Sequence, residues 1–174
     1  MDKKTIAFYE NNAQKYAKWR SKEGRDLPEK IFLNEVKTSG EIIDLGCGTG
    51  EKTVRFYNKG LKVTAVDASS EMLKKIIKIN GINIQLIDLS NISFLKKYDG
   101  VWASFSIQHL YKSKQDLLFE KVSRAMNKNG VFYVGIHEGH KIYRDNLQRL
   151  YVPRSEKDLR KVFKKNNFRI FNFF

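Results

Sequence analysis

The run Glu41-Ile42-Ile43-Asp44-Leu45-Gly46-Cys47-Gly48-Thr49-Gly50-Glu51-Lys52-Thr53 decides the fold. A short apolar strand, Ile42 to Leu45, feeds a glycine loop, and a helix carrying Val54, Phe56 and Tyr57 follows. Strand, glycine turn and helix in that order bring a nucleotide-like ligand against bare backbone. Gly46 lets the chain turn off the strand, Gly48 admits a ligand where a Cβ would stand, and Gly50 opens a helix packed close to the sheet. The series Gly46-x-Gly48-x-Gly50 departs from the Gly-x-Gly-x-x-Gly loop that aims a helix N-terminus at a pyrophosphate. Its sixth position is Glu51, and Asp44 stands just ahead of the loop. Two flanking carboxylates repel a pyrophosphate and favour a cation, such as a ligand with an amine and a sulfonium.

Asp44 to Gly50 resembles motif I of the class I S-adenosylmethionine-dependent methyltransferases, Asp-Leu-Gly-Cys-Gly-Thr-Gly, at all seven positions. The resemblance implies an α/β, Rossmann-like, doubly wound and mostly parallel sheet with helices on both faces. It also implies S-adenosyl-L-methionine as cofactor. A second strand, 61–67, ends at Asp67, about twenty residues past the turn, where an acid bridges two ribose hydroxyls. Ala68-Ser69 and a helix through Met72 and Leu73 match motif II, with Met72 either near the adenine or in the core. A third strand, 82–88, ends at Asp88. The family places an Asp here to accept from the adenine amino group, with the next amide, Leu89, meeting a ring nitrogen; a plain turn role is the alternative. The fourth strand, 98–105, resembles motif IV, and Ser104 to Leu110 resembles the family's small-residue stretch ending in His-Leu. The first and fourth strands flank the topological switch point, so the loop after Ser104 and Phe105 faces the methyl group. His109 reads as a general base or, preferably, as a residue that holds the loop.

Residues 3–20 form a helix of near 3.6 period that begins at Asp2 or Thr5. Related enzymes cover the cofactor with such a helix, so Tyr9, Tyr16 and Arg20 reach the cofactor or acceptor, or the aromatic residues pack on the sheet. A loop at 21–28 leads to a second helix at 29–37. An amphipathic helix, 114–126, stops at Asn129-Gly130, and a buried fifth strand, 131–136, follows. His137, Glu138 and His140 lack zinc-helix spacing, so no metal is expected, and their place at a strand's carboxyl end makes them acceptor-side candidates. Residues 141–152 are basic and aromatic, with Tyr143, Arg144, Arg149 and Tyr151. Arg149 is the natural clamp for an acidic acceptor; a solvated charged face is the competing reading. Ser155 caps a helix that turns Leu159, Val162 and Phe163 inward and ends at Asn166-Asn167. Residues 168–174 read as a sixth strand. The family's usual seventh strand is lacking, which leaves an apolar edge open to a second copy.

The 174 residues suit one domain, 1–174. Lid helices occupy 1–37, a cofactor-binding core 40–136 and acceptor-side elements 137–174. The single cysteine excludes a disulfide framework and suits a reducing, cytoplasmic setting. No run of about 18 apolar residues predicts a membrane span. The net charge of +14 would attract nucleic acid, yet only 9 of the 33 basic residues are Arg, the fork that reads phosphates and bases.

These features lead to a methyltransferase acting on a small-molecule acceptor by in-line displacement. An RNA (tRNA) methyltransferase and a non-catalytic S-adenosylmethionine-binding protein are the alternatives. The chain is expected to be a monomer or a homodimer through its C-terminal edge. The cofactor set is Tyr16, Arg20, Asp44, Gly46, Cys47, Gly48, Gly50, Asp67, Ala68, Met72, Asp88, Leu89, Ser104 and Phe105. Tyr9, His109, His137 and Arg149 are weaker acceptor candidates. No catalytic residue is assigned beyond weak candidates at His109, His137 and Tyr151, because the reactive group belongs to the cofactor.

Overall fold

The computed structural model describes residues 1–20, 26–76 and 79–173, without the side chains of Arg20 and Asp26. Five strands, β1 (Glu41–Leu45), β2 (Lys62–Asp67), β3 (Asn83–Leu86), β4 (Tyr98–Ser104) and β5 (Met126–Gly135), form one parallel sheet. Their order is β3-β2-β1-β4-β5, so the chain reverses its direction of travel across the sheet between β1 and β4. That is where an open α/β sheet leaves a crevice at its carboxyl edge.

The central strand is apolar because it is covered twice. Ile42, Ile43 and Leu45 are all at most 2% exposed. Successive side chains point to opposite faces, and each face has its own helices. Ile42, Val63 and Trp102 pack with Phe32 and Phe56 from α2 (Asp26–Glu35) and α3 (Glu51–Asn58). Ile43, Leu45, Val101 and Ala103 pack with Phe119 and Val122 of α5 (Lys112–Ala125) and with Leu159 and Phe163 of α6 (Glu156–Lys165). Ser155 caps α6, its hydroxyl accepting from the Asp158 amide at 3.1 Å.

Three expectations need correction. First, α5 ends at Ala125, and Asn129-Gly130 lies inside the span of β5 rather than at the helix stop. Tyr98 pairs with Met126 and Gly100 with Val131, so residues 127–130 bulge out of the ladder, with Asn129 in the left-handed region at φ 63°. Second, residues 168–173 form no strand. Phe168 and Ile170 rest against the apolar cluster while Phe171 and Phe173 are exposed, and no described strand supplies the ladder hydrogen bonds that an extended segment needs. Among the described residues the sheet therefore has five strands rather than six. Third, the basic stretch after β5 is not merely a solvated face. It folds as an antiparallel pair, β6 (Tyr143–Arg144) and β7 (Leu150–Tyr151).

The remaining helices are α1 (Lys3–Arg20) and the one-turn α4 (Ser70–Leu73). Asp2 begins α1 by accepting from the Thr5 amide at 2.9 Å. Among the described residues no helix is long and apolar enough to cross a membrane.

Candidate functional site

The glycine loop leaves β1 with its amides already committed. Those of Gly46 and Cys47 both donate to the Val66 carbonyl, at 2.8 and 2.9 Å. Gly46, Gly48 and Gly50 all have positive φ, at 73°, 56° and 81°. A Cβ on Gly46 would stand 2.3 Å from the Ser106 Cβ, and one on Gly50 would stand 2.0 Å from a methyl of Ile76. Gly48 differs: only the Tyr16 ring lies near, at 3.9 Å. The packing demands the outer two glycines, whereas the middle one keeps open space above the loop.

Two carboxylates brace this loop. Asp67, at the end of β2, accepts from the Gly48 amide at 2.8 Å and from the Ser69 amide at 2.9 Å. Burial still raises its pKa against those bonds. Asp44 is 3% exposed and accepts from the Thr53 hydroxyl at 2.6 Å. Burial, Asp44 and Asp67 together push the Cys47 thiol well above its ordinary range, so it stays a neutral wall group. A pocket opens over the loop, lined by Tyr16, Asp44, Gly46, Cys47, Gly48, Thr49, Glu51, Lys52, Trp102 and Ser104. Lys52 pairs with Glu29 of α2, and Arg55 joins the same carboxylate at 3.2 Å.

Helix α1 crosses the site and is fastened at both sides. On the flank toward α4, Glu10 accepts from the Ser69 and Ser70 hydroxyls at 2.5 and 2.6 Å and from the Glu71 amide at 3.3 Å. These bonds hold its carboxyl below the usual range. On the other flank, Arg144 of β6 makes a two-pronged contact with Asp2, at 2.7 and 2.9 Å. The buried Thr5 hydroxyl accepts from the Leu150 amide of β7 at 2.8 Å.

The second wall lies beyond Ser104, at the carboxyl ends of β4 and β5. His109 ends a 3-10 turn, Ile107–His109, and is 2% exposed. Its Nδ1 meets the Leu150 carbonyl at 2.6 Å, which places the proton on Nδ1 and leaves Nε2 to accept from the Tyr9 hydroxyl at 3.1 Å. Burial pulls its pKa down to about 4. Burial likewise pushes the Tyr9 phenol up, and that of Tyr151 up to about 12. Arg149 binds Asp145 at 2.7 Å and lies over the rings of Phe8 and Tyr151, at 5.0 and 5.5 Å. His137, at the end of β5, is fixed through its backbone by the Gln108 side chain and the Arg154 amide, both at 3.1 Å.

Six residues expected around the cofactor converge on the pocket: Tyr16, Asp44, Gly46, Cys47, Gly48 and Ser104. Gly50, Asp67 and Ala68 belong to the loop and its support, and Met72 is buried at 1%. Phe105 turns toward His137, at 5.5 Å, rather than into the pocket. Asp88 caps a 3-10 turn, Leu89–Asn91, through the Ser90 amide at 2.8 Å, and its carboxylate pairs with the Met1 amino group. Leu89 is buried. The side chain of Arg20 lies outside the described residues. Among the described residues no three His, Cys, Asp or Glu side chains converge as a metal set.

Sequence reasoning passed over Lys52, Trp102 and Glu10. Glu10 and Ser69 are 59 positions apart, so no local pattern marks that pair. Trp102 carried a signal: it follows Asp99-Gly100 on the strand that flanks β1, and it pairs in register with Asp44.

A family model described as a methyltransferase domain matches residues 42–130. The chain is 31% identical over 134 residues to a provisionally named methyltransferase of Bacillus subtilis, YqeM, covering 73% of this chain and 51% of that one. It is 31% identical over 114 residues to carboxy-S-adenosyl-L-methionine synthase of Campylobacter concisus, covering 62% and 48%. The chain thus spans about half the length of these curated relatives. Among solved structures, a 1,6-didemethyltoxoflavin-N1-methyltransferase of Burkholderia thailandensis superposes with a TM-score of 0.79 over 95% of this chain and 76% of that one. Identity there is 18%, so the likeness is one of fold.

Proposed function

The chain belongs to the methyltransferase domain family, and we propose that it binds S-adenosyl-L-methionine and passes a methyl group to a small-molecule acceptor by in-line displacement. The observation that carries this reading is the bare backbone of Gly48, held by Asp67 and facing a pocket between the loop, Tyr16 and Ser104. The residues present suit such a ligand. A Cβ at Gly48 would fill the approach, and Asp44 and Glu51 favour a cationic ligand over a pyrophosphate.

The cofactor, when bound, supplies an activated methyl on a sulfonium. Asp67 would hold the ribose hydroxyls, with Ala68 and Met72 beside the adenine. Asp88 and Leu89 would meet the adenine edge once the Asp88 carboxylate exchanges its pairing with Met1. Tyr16, which lines the pocket, would cover the amino-acid end. Within one domain, α1 would serve as the lid, 40–136 as the cofactor core and 137–174 as the acceptor side, whereas α2 packs on the sheet through Phe32.

The chain's own task is alignment and exclusion of water. His109 is neutral at physiological pH, buried and bonded at both nitrogens, so it acts as the peg that sets Tyr9 rather than as a general base. Arg149 is matched by Asp145 and orients the same wall. The two fastenings of α1 confine the acceptor side, which favours a small acceptor over a folded RNA.

The test is mass spectrometry of cell-extract metabolites after incubation with cofactor carrying a deuterated methyl group. Transfer of the labelled methyl to a small molecule is the expected result. Label found only in RNA supports the RNA alternative, and no labelled product while the protein still binds the cofactor supports a non-catalytic binder.

A further inference from the structure

We propose that the acceptor is a planar aromatic molecule without an anionic group, held against the rings of Tyr9, Tyr151, His137 and Tyr143. The proposal rests on the cofactor reading above and specifies the substrate class of the same site.

The rings form one continuous series. Tyr16 lines the pocket over the glycine loop and meets Tyr9 at 5.3 Å between ring centres. Tyr9 meets His109 at 5.7 Å, and His109 meets Tyr151 at 5.0 Å. Tyr151 lies parallel to His137 within 5° at 5.3 Å and to Tyr143 within 6° at 5.0 Å. These rings come from α1, the 3-10 turn after β4, the end of β5 and both strands of the hairpin. None of them belongs to the three apolar clusters that pack the sheet. Tyr151 and His109 are themselves buried, at 7% and 2%, and the series runs from the pocket to solvent, where Tyr143 is 41% exposed.

The backbone adds a second observation. Phe105, directly after Ser104, has φ 55°, a conformation that a bulky residue adopts at a cost. Its amide is held there by the Gly135 carbonyl at 2.8 Å, and its ring extends the series through His137. Strain of this kind persists where surrounding structure enforces it, commonly at ligand sites.

Charge identifies what the rings would take. The hairpin's two arginines are each matched by a carboxylate, Arg144 by Asp2 and Arg149 by Asp145. His109 is neutral and its ring nitrogens are bonded. A wall of parallel rings whose two arginines are already matched offers no free cation to a phosphate or a carboxylate, and its stacked faces suit a flat aromatic molecule.

Calorimetry on the full chain separates the two readings. S-adenosylhomocysteine is titrated first; then 2-naphthol and its saturated counterpart decahydro-2-naphthol are titrated into the saturated protein. Expected is 2-naphthol binding roughly tenfold tighter, the scale of aromatic pairing. Exchanging both Tyr143→Leu and His137→Leu, at exposed positions, should remove most of that preference, and Tyr143→Phe should keep it. Equal affinity for the two naphthols, or a preference that survives the double substitution, overturns the inference while the cofactor reading stands. No heat with S-adenosylhomocysteine overturns both.

Discussion

Two glycines of one loop separate packing from binding at the residue scale. Gly50→Ala drives a Cβ into Ile76 at 2.0 Å and keeps φ at 81°. It should cost about 2 kcal/mol, lowering the melting temperature by roughly 4–8 °C. Gly48→Ala meets nothing closer than 3.9 Å, so its stability cost should stay near 1 kcal/mol, the penalty of a left-handed alanine. Its S-adenosylhomocysteine affinity should fall more than tenfold, because the new methyl stands where the ligand approaches. Thermal melts and calorimetry on the two variants check the contrast. His109 gives a pH signature. Its folded pKa, about 4, lies below the ordinary value near 6.5, so its contribution is present above pH 6.5 and is lost as pH falls toward 4. The wild type should lose up to roughly 1.4 kcal/mol per pH unit across that window, a slope that His109→Gln flattens. Urea unfolding at pH 7 and pH 4.5 measures it.

The tertiary ties of α1 were the least legible of the elements. Its 3.6 period marks a helix, but the bonds of Glu10 to Ser69 and of Asp2 to Arg144 join residues 59 and 142 positions apart. Glu10→Ala should free the flank of α1 over α4. Amide exchange in residues 3–20 should then speed up severalfold, with little change in β1 and β4. Unchanged protection in α1 would show that the latch does not hold the helix. Local pattern also misled at residues 168–173. The alternating Phe and Ile there satisfy the rule for a strand, yet a strand exists only with a ladder partner, and no described neighbour supplies one. The hairpin at 143–151 failed in the opposite way. Two-residue strands are too short for periodicity to register, and the hairpin is tied to Thr5 and Asp2 by bonds between residues far apart in sequence.

At the scale of the whole molecule, the sheet and its crevice were legible because the determinants are local. The buried strands read as apolar runs, the turn reads as glycines, and the acid after β2 sits a fixed distance downstream. The residues proposed for the acceptor side, Tyr9, His109, His137, Arg149 and Tyr151, were each picked out in the sequence, but their mutual approach was not, since it joins α1, the 3-10 turn at 107–109, the end of β5 and the hairpin, four segments that only the fold brings together. His109 illustrates the difference. The sequence weighed a base against a loop-holding residue and preferred the latter, but its two partners, the Leu150 carbonyl and the Tyr9 hydroxyl, emerge only from the fold. The net charge of +14 is likewise not concentrated on Lys52 and Arg149, which are paired with Glu29 and Asp145. The most direct measurement is calorimetric titration of the purified chain with S-adenosylhomocysteine and, separately, with NAD. The account predicts one S-adenosylhomocysteine bound per chain, weakened by Gly48→Ala, and no heat from NAD; binding of NAD with none of S-adenosylhomocysteine would contradict it.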